Sequence, residues 1–203
     1  MAIHYHRGDL PAQFAPASTI AIDTEAMGLN PHRDRLCLVQ LSNGDGEVHL
    51  VQFEPGRYDA PRLRALLADG DRLKLFHFAR FDIALMRHYL GVTAAPVYCT
   101  KIASKLARTY TDRHGLKDIC RELLGVDLSK QQQSSDWGAP ELSDAQQAYA
   151  AGDVLYLHRL RDVLDGMLMR EGRMHLAEAA FAFLPTRAEM DLAGWPDIDI
   201  FAH

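Results

Sequence analysis

Cysteine is scarce in the 203 residues: Cys37, Cys99 and Cys120 are odd in number and far apart. They form no CxxC pair, so neither a disulfide framework nor a cysteine-based structural zinc site is visible. They read as buried free thiols in a reducing cytoplasm. No apolar run approaches the roughly 20 residues of a membrane span. The first residues, MAIHYHRGDL, lack the apolar stretch of a secretory signal. Positive charge is short as well, with 22 Lys and Arg against 27 Asp and Glu and a net charge of −5. That excludes a protein that coats nucleic acid by bulk charge, but leaves room for a local basic patch. Internal repeats and low-complexity tracts are missing. What remains is an ordinary globular balance, 48% hydrophobic and 24% charged, expected to fold as a single domain over residues 1–203.

Residues 19–22, 35–42, 47–53 and 73–76 read as strands. Gly28, Asn30, Pro31, Asn43, Gly44 and Gly46 mark the turns between the first three. Such short connections predict an antiparallel meander. Helices are expected after Pro61, over 79–90 with Gly91 as the stop, from 101 to about 110, over 115–124 and over about 143–171. Ser143 and Gln146 fit a capping box at the start of the last. Strands followed by helices predict an α/β or α+β domain with a mixed sheet. The tail from Phe183 to His203 is too apolar to be free, and is expected to pack on its own domain or at a subunit interface.

Four carboxylates stand at telling places. Asp23 ends an apolar strand and Glu25 follows two residues later, on the same side of an extended chain. Asp82 lies in the first turn of the helix after the 73–76 strand. Asp153 sits among apolar residues in YAAGDVLYL, with Tyr149 four residues earlier on the same helical face. A buried carboxylate needs a partner such as a metal or a base. An all-oxygen set suits Mg2+ or Mn2+. Two such ions about 4 Å apart can hold the attacking and leaving oxygens of a phosphodiester. Tyr149 can orient a water there or, with a locally lowered pKa, take its proton. Taken singly, each carboxylate reads as well as a turn residue or a helix cap; their joint occurrence points to a metal centre.

IDTEAMGL, HFARFDIALM and YAAGDVLYL resemble the three motifs of the DEDD 3′–5′ exonucleases, in the tyrosine (DEDDy) variant, since Ala148 stands where the other branch places histidine. The middle segment resembles ribonuclease D, although that enzyme carries further C-terminal helical domains for which this sequence has no room. NPHRDRLC, CTKIASKL, RTYTDRHGLK, SKQQQSSDW, FLPTR and DIFAH extend a resemblance to the alphaproteobacterial nanoRNase C family over essentially the whole chain. The resemblance implies a ribonuclease H-like exonuclease fold with a mixed five-stranded sheet flanked by helices. It implies release of 5′-mononucleotides from the 3′ ends of short RNAs, dinucleotides above all, and a ring-like homo-octamer. Asp23, Glu25, Asp82 and Asp153 would hold two Mg2+ or Mn2+ ions, with Tyr149 completing the catalytic set.

By their place in the first motif, Met27, Gly28 and Leu29 can meet the 3′ nucleotide, with Leu29 wedged against its base; an ordinary glycine turn fits as well. His77 can contact a sugar or phosphate, or be purely structural. Lys101, Lys105 and Arg108 share one helical face in a locally basic segment, able to grip phosphates or simply solvated. Gln133 and Trp137 lie in a polar loop; Trp137 can stack a base or anchor the loop. Two other readings stand beside a short-RNA exonuclease. One is a general exonuclease on longer RNA or DNA, trimming 3′ ends. The other is a nucleic-acid-binding module without catalysis, against which the intact carboxylates and tyrosine argue.

Overall fold

The structure, a computed structural model, describes residues 2–129 and 131–203. Six strands form one mixed sheet. They are β1 (Ala2–Arg7), β2 (Thr19–Ala26), β3 (Leu36–Ser42), β4 (Glu47–Gln52), β5 (Leu73–Phe76) and β6 (Val97–Cys99), in the order β1-β4-β3-β2-β5-β6. The meander β2-β3-β4 is antiparallel, as its short turns predict. β1 joins β4 in parallel, and β5 and β6 extend the other side in parallel. The sheet thus has six strands where five were expected. Neither flanking strand announces itself: β1 (AIHYHR) carries four polar aromatic or basic side chains, and β6 is three residues long.

Seven helices cover the sheet among the described residues: α1 (Pro61–Ala68), α2 (Ala79–Leu90), α3 (Thr100–Ala107), α4 (Leu116–Leu124), α5 (Asp144–Leu155), α6 (Leu157–Arg170) and α7 (Met174–Leu192). Every residue of β3 is buried, as expected of a strand covered on both faces. Gly91 ends α2 in the left-handed conformation at φ 66°, which glycine adopts without steric cost. The Ser143–Gln146 capping box opens α5.

Two helix expectations are corrected. The stretch 143–171 is two helices, broken at Tyr156 (φ −105°, ψ −1°). α5 lies against the sheet, and the break lets α6 turn Leu157, Leu160, Leu164 and Leu168 into the core beside α3 and α4. The tail expected from Phe183 instead continues as helix to Leu192, through Pro185. Burial of Phe181, Leu184 and Ala188 along this helix outweighs the roughly 3 kcal/mol of a mid-helix proline. Beyond it, Arg187 donates to the carbonyls of Trp195, Pro196 and Ile198 and folds the last residues back. No helix among the described residues is long and apolar enough to cross a membrane.

Candidate active site

β2 runs through the middle of the sheet and carries both carboxylates of the first motif. It extends four residues beyond the expected end at residue 22, because its pairing with β3 continues to Ala26, with a bulge between Glu25 and Ala26. Alternation turns Asp23 and Glu25 to one face and Thr24 to the other. α5 crosses that first face and delivers Asp153. One oxygen from each of Asp23, Glu25 and Asp153 lies within 4.8 Å of the other two. Asp82, in the first turn of α2, is buried and accepts a 2.6 Å hydrogen bond from Thr24 Oγ1. It sits beside this trio without being part of it, close enough to repel it.

The electrostatics are those of a site built for cations. Burial, then the neighbouring Asp82, Asp153 and Glu25, holds the Asp23 carboxyl well above the usual carboxylate range. Burial, reinforced by Asp153 and Asp82, raises Glu25 to about 9. Burial raises Asp82 to about 7 against the opposing Thr24 hydrogen bond. Asp153 also rises to about 7 through burial, opposed by the Tyr149 hydroxyl. No cationic side chain joins the trio among the described residues. Four clustered carboxylates, one buried and three half-buried, with no cation between them are costly. An all-oxygen, anionic, half-buried set fits a hard divalent cation. Burial and the Asp153, Glu25 and Asp23 charges push the Tyr149 hydroxyl above its ordinary range. Without cations it is therefore a proton donor rather than a base.

The profile of the 3′–5′ exonuclease family matches residues 9–169. The chain belongs to that family. Ribonuclease D of Gluconacetobacter diazotrophicus is 36% identical over 165 residues, which are 81% of this chain and 42% of the relative. The chain thus spans about two-fifths of that relative's length. Two solved structures of Brucella melitensis NrnC match over the full chain. The one bound to pGG is 59% identical, with a TM-score of 0.96 and 99% of that chain covered. The one with bound Mg2+ is 58% identical, with a TM-score of 0.95 and complete coverage. The fold is that of the ribonuclease H-like exonucleases.

The exonuclease motifs also bring along residues whose roles at the site the sequence did not show. Thr24 holds Asp82. Gln40, opposite Asp23 in the β2–β3 register, points Nε2 at Asp23 Oδ2, 3.4 Å away. Gln146 reaches from the capping box to Ser135 Oγ and the Asp136 carbonyl, fastening the 131–138 loop to α5. Arg35 donates to the Gly138 and Phe53 carbonyls and ties that loop to the sheet. Only pairings across the fold reveal these roles; in sequence they are ordinary polar residues.

The expected substrate residues divide. Met27 and Leu29 are exposed, Leu29 by 87%. Gly28 is more than a turn: a Cβ there would lie 2.3 Å from Asp34 Oδ2, the oxygen that accepts from the Asn30 amide. His77 Nδ1 is 2.9 Å from Thr100 Oγ1. Burial, with Lys101 beside it, lowers its pKa to about 3, so it is a neutral hydrogen-bonding group and no phosphate-binding cation. Lys101 and Lys105 line a cleft of about 260 Å³ with Phe78 and α7; the Lys101 ammonium rests 4.2 Å from the Phe78 ring centre.

Three of these expectations are corrected. Arg108 does not share the lysine face. α3 ends at Ala107, and Arg108 turns inward, fully buried, to Ser104 Oγ, the Arg113 carbonyl and Glu122. Its charge is spent inside the protein. Gln133 is exposed on the loop, whereas Gln131 and Gln132 line the cleft of about 360 Å³ that opens on Tyr149 and Asp153. Trp137 is 97% buried, its ring 5.9 Å from that of Tyr149. It packs behind the tyrosine and is not offered to a base.

Proposed function

We propose that the chain is a divalent-metal-dependent 3′–5′ exoribonuclease that releases 5′-mononucleotides from short oligoribonucleotides, dinucleotides above all. The convergence of Asp23, Glu25 and Asp153, with Asp82 beside them and Tyr149 one helical turn before Asp153, carries this reading. Full-length likeness to a protein solved with pGG supports the short substrate. Likeness to the Mg2+-bound form supports the cation.

In this reading Asp23, Glu25, Asp82 and Asp153 hold two Mg2+ or Mn2+ ions. Those ions supply charge stabilisation for the attacking and leaving oxygens of the phosphodiester. The protein's residues do the rest. Thr24 fixes the Asp82 carboxylate, and Gln40 steadies Asp23. Tyr149, backed by Trp137, orients the attacking water from the mouth of the cleft. Met27, Gly28 and Leu29 present the first-motif turn to the 3′ nucleotide, and His77 offers an uncharged ring nearby. Lys101 and Lys105 lie at a separate cleft, suited to a phosphate further from the scissile bond.

The ring-like octamer belongs to the same reading. Trp195, Ile198, Ile200 and Phe201 are exposed at the C-terminal end and supply apolar surface for subunit contact.

A length series tests the substrate. Initial rates with Mg2+ are compared for 5′-labelled RNAs of two to about ten nucleotides, against DNA of the same lengths. A steep preference for the RNA dimer is expected. Equal or rising rates with length would replace this reading with a general 3′-trimming exonuclease, as the likeness to ribonuclease D allows.

A further inference from the structure

At the far edge of the sheet, β1 and β4 bring three histidines and a glutamate onto one face. In their parallel register His4 pairs with His49, and Ala2 with Glu47. Alternation places His4 and His6 on one side of β1, and Glu47 and His49 on the same side of β4. The His4 and His49 rings stack at 4.8 Å between centroids, and those of His6 and His49 at 5.2 Å. His4 Nε2 stands 3.5 Å from Glu47 Oε2. His6 Nε2 stands 3.0 Å from His49 Nδ1. Phe14 closes edge-on over His49 at 4.6 Å. His4 Nε2 is shielded from solvent and has no hydrogen-bond partner.

Three imidazoles this close repel one another once protonated. Burial and the neighbouring histidines hold His6 and His49 below the usual histidine range. One donor atom from each of His4, Glu47 and His49 lies within 4.8 Å of the other two.

We propose that His4, Glu47 and His49 form a second metal site, distinct from the carboxylate centre, that binds a borderline transition-metal cation such as Zn2+. Two imidazole nitrogens and one carboxylate oxygen are a zinc ligand set, with a fourth position left for water. Mg2+ prefers oxygen ligands alone, so the two centres sort cations by chemistry. His6 is a positioning residue: its hydrogen bond to His49 fixes the ring that ligates. The site joins two strands, one of them the sheet's edge, so the cation would clip β1 onto β4. Cysteine spacing could not reveal it, because the ligands come from histidines brought together by strand pairing.

The test titrates Zn2+ alone into the metal-stripped full chain by calorimetry, in excess Mg2+. One additional equivalent of Zn2+ per chain is expected, with a rise in melting temperature. His4→Ala and Glu47→Gln, at side chains 42% and 54% exposed, should abolish that equivalent while circular dichroism and Mg2+-dependent hydrolysis stay unchanged. His6→Ala should weaken it about 10–100-fold. Co2+ in place of Zn2+ should show the strong visible bands of a four-coordinate ion, lost in both ligand variants. Absence of Zn2+ uptake, or uptake at full strength in both variants, would overturn the proposal.

Discussion

Asp153→Asn should stabilise the metal-free protein at pH 8 while abolishing Mg2+-dependent hydrolysis. The Asp153 carboxyl rises from an ordinary 3.8 to about 7, chiefly through burial. A folded-state pKa above the unfolded one means that its ionisation opposes folding. Stability is full below about pH 4 and falls as pH rises through 7. At about 1.4 kcal/mol per pKa unit, keeping this one carboxylate ionised costs the fold up to about 4 kcal/mol at pH 8. Relief of its neighbours overlaps with this term, and partial exposure of the group reduces it. The variant should therefore gain about 2–4 kcal/mol, or about 4–16 °C in Tm for a chain of this size. Thermal melts followed by circular dichroism, in EDTA at pH 5 and pH 8, measure it. At pH 5 the variant's lead should shrink to about 1–2 kcal/mol, since that pH stands only about one unit above the ordinary 3.8 of the unfolded carboxyl. The variant should lead at pH 8, and added Mg2+ should rescue the wild type alone. A variant equal to or weaker than wild type at pH 8 in EDTA would mean that the carboxylates do not strain the fold, and the reasoning would fail.

Tyr149→Phe should lower kcat about 10²–10⁴-fold with calorimetric Mn2+ affinity unchanged; a loss of affinity instead would make the tyrosine a prop for the metal set. Arg108→Ala should cost about 2–3 kcal/mol in urea melts by stripping Ser104, Arg113 and Glu122 of a buried partner, whereas Lys105→Ala should leave stability alone and raise KM. The opposite pattern would restore Arg108 as a phosphate contact. Gly28→Ala should destabilise by about 1–2 kcal/mol and slow hydrolysis, since its Cβ would collide with the Asp34 carboxylate; a neutral result would leave Gly28 as a plain turn. Light scattering of the full chain should give a mass near eight chains, and a monomer would remove the octamer.

Much of the site was legible because its chemistry is local. Asp23 and Glu25 are two residues apart on a strand, and Tyr149 and Asp153 one turn apart on a helix. Those spacings alone fix which face they share. Gln133 and Arg108 differ from expectation for a common reason: a one-residue difference in where a loop turns or a helix ends decides which side chain reaches the cleft, whereas Trp137 takes the loop-anchoring alternative the sequence also allowed. Gln131 and Gln132 line the cleft in place of Gln133, and α3 stops one residue short of Arg108.

Sequence by itself determined the strand meander, the capping box, the glycine helix stop, the buried thiols and the four carboxylates with their tyrosine. Each is written in a pattern no longer than a turn or a strand. The tertiary structure decided what depends on distant pairing. It set β1 on the sheet edge and so assembled the histidine cluster. It gave Asp82 its Thr24 partner, broke the long helix at Tyr156, and carried α7 through Pro185. In each case burial against an element far along the chain outweighs the local preference, and no stretch of sequence states which element that will be.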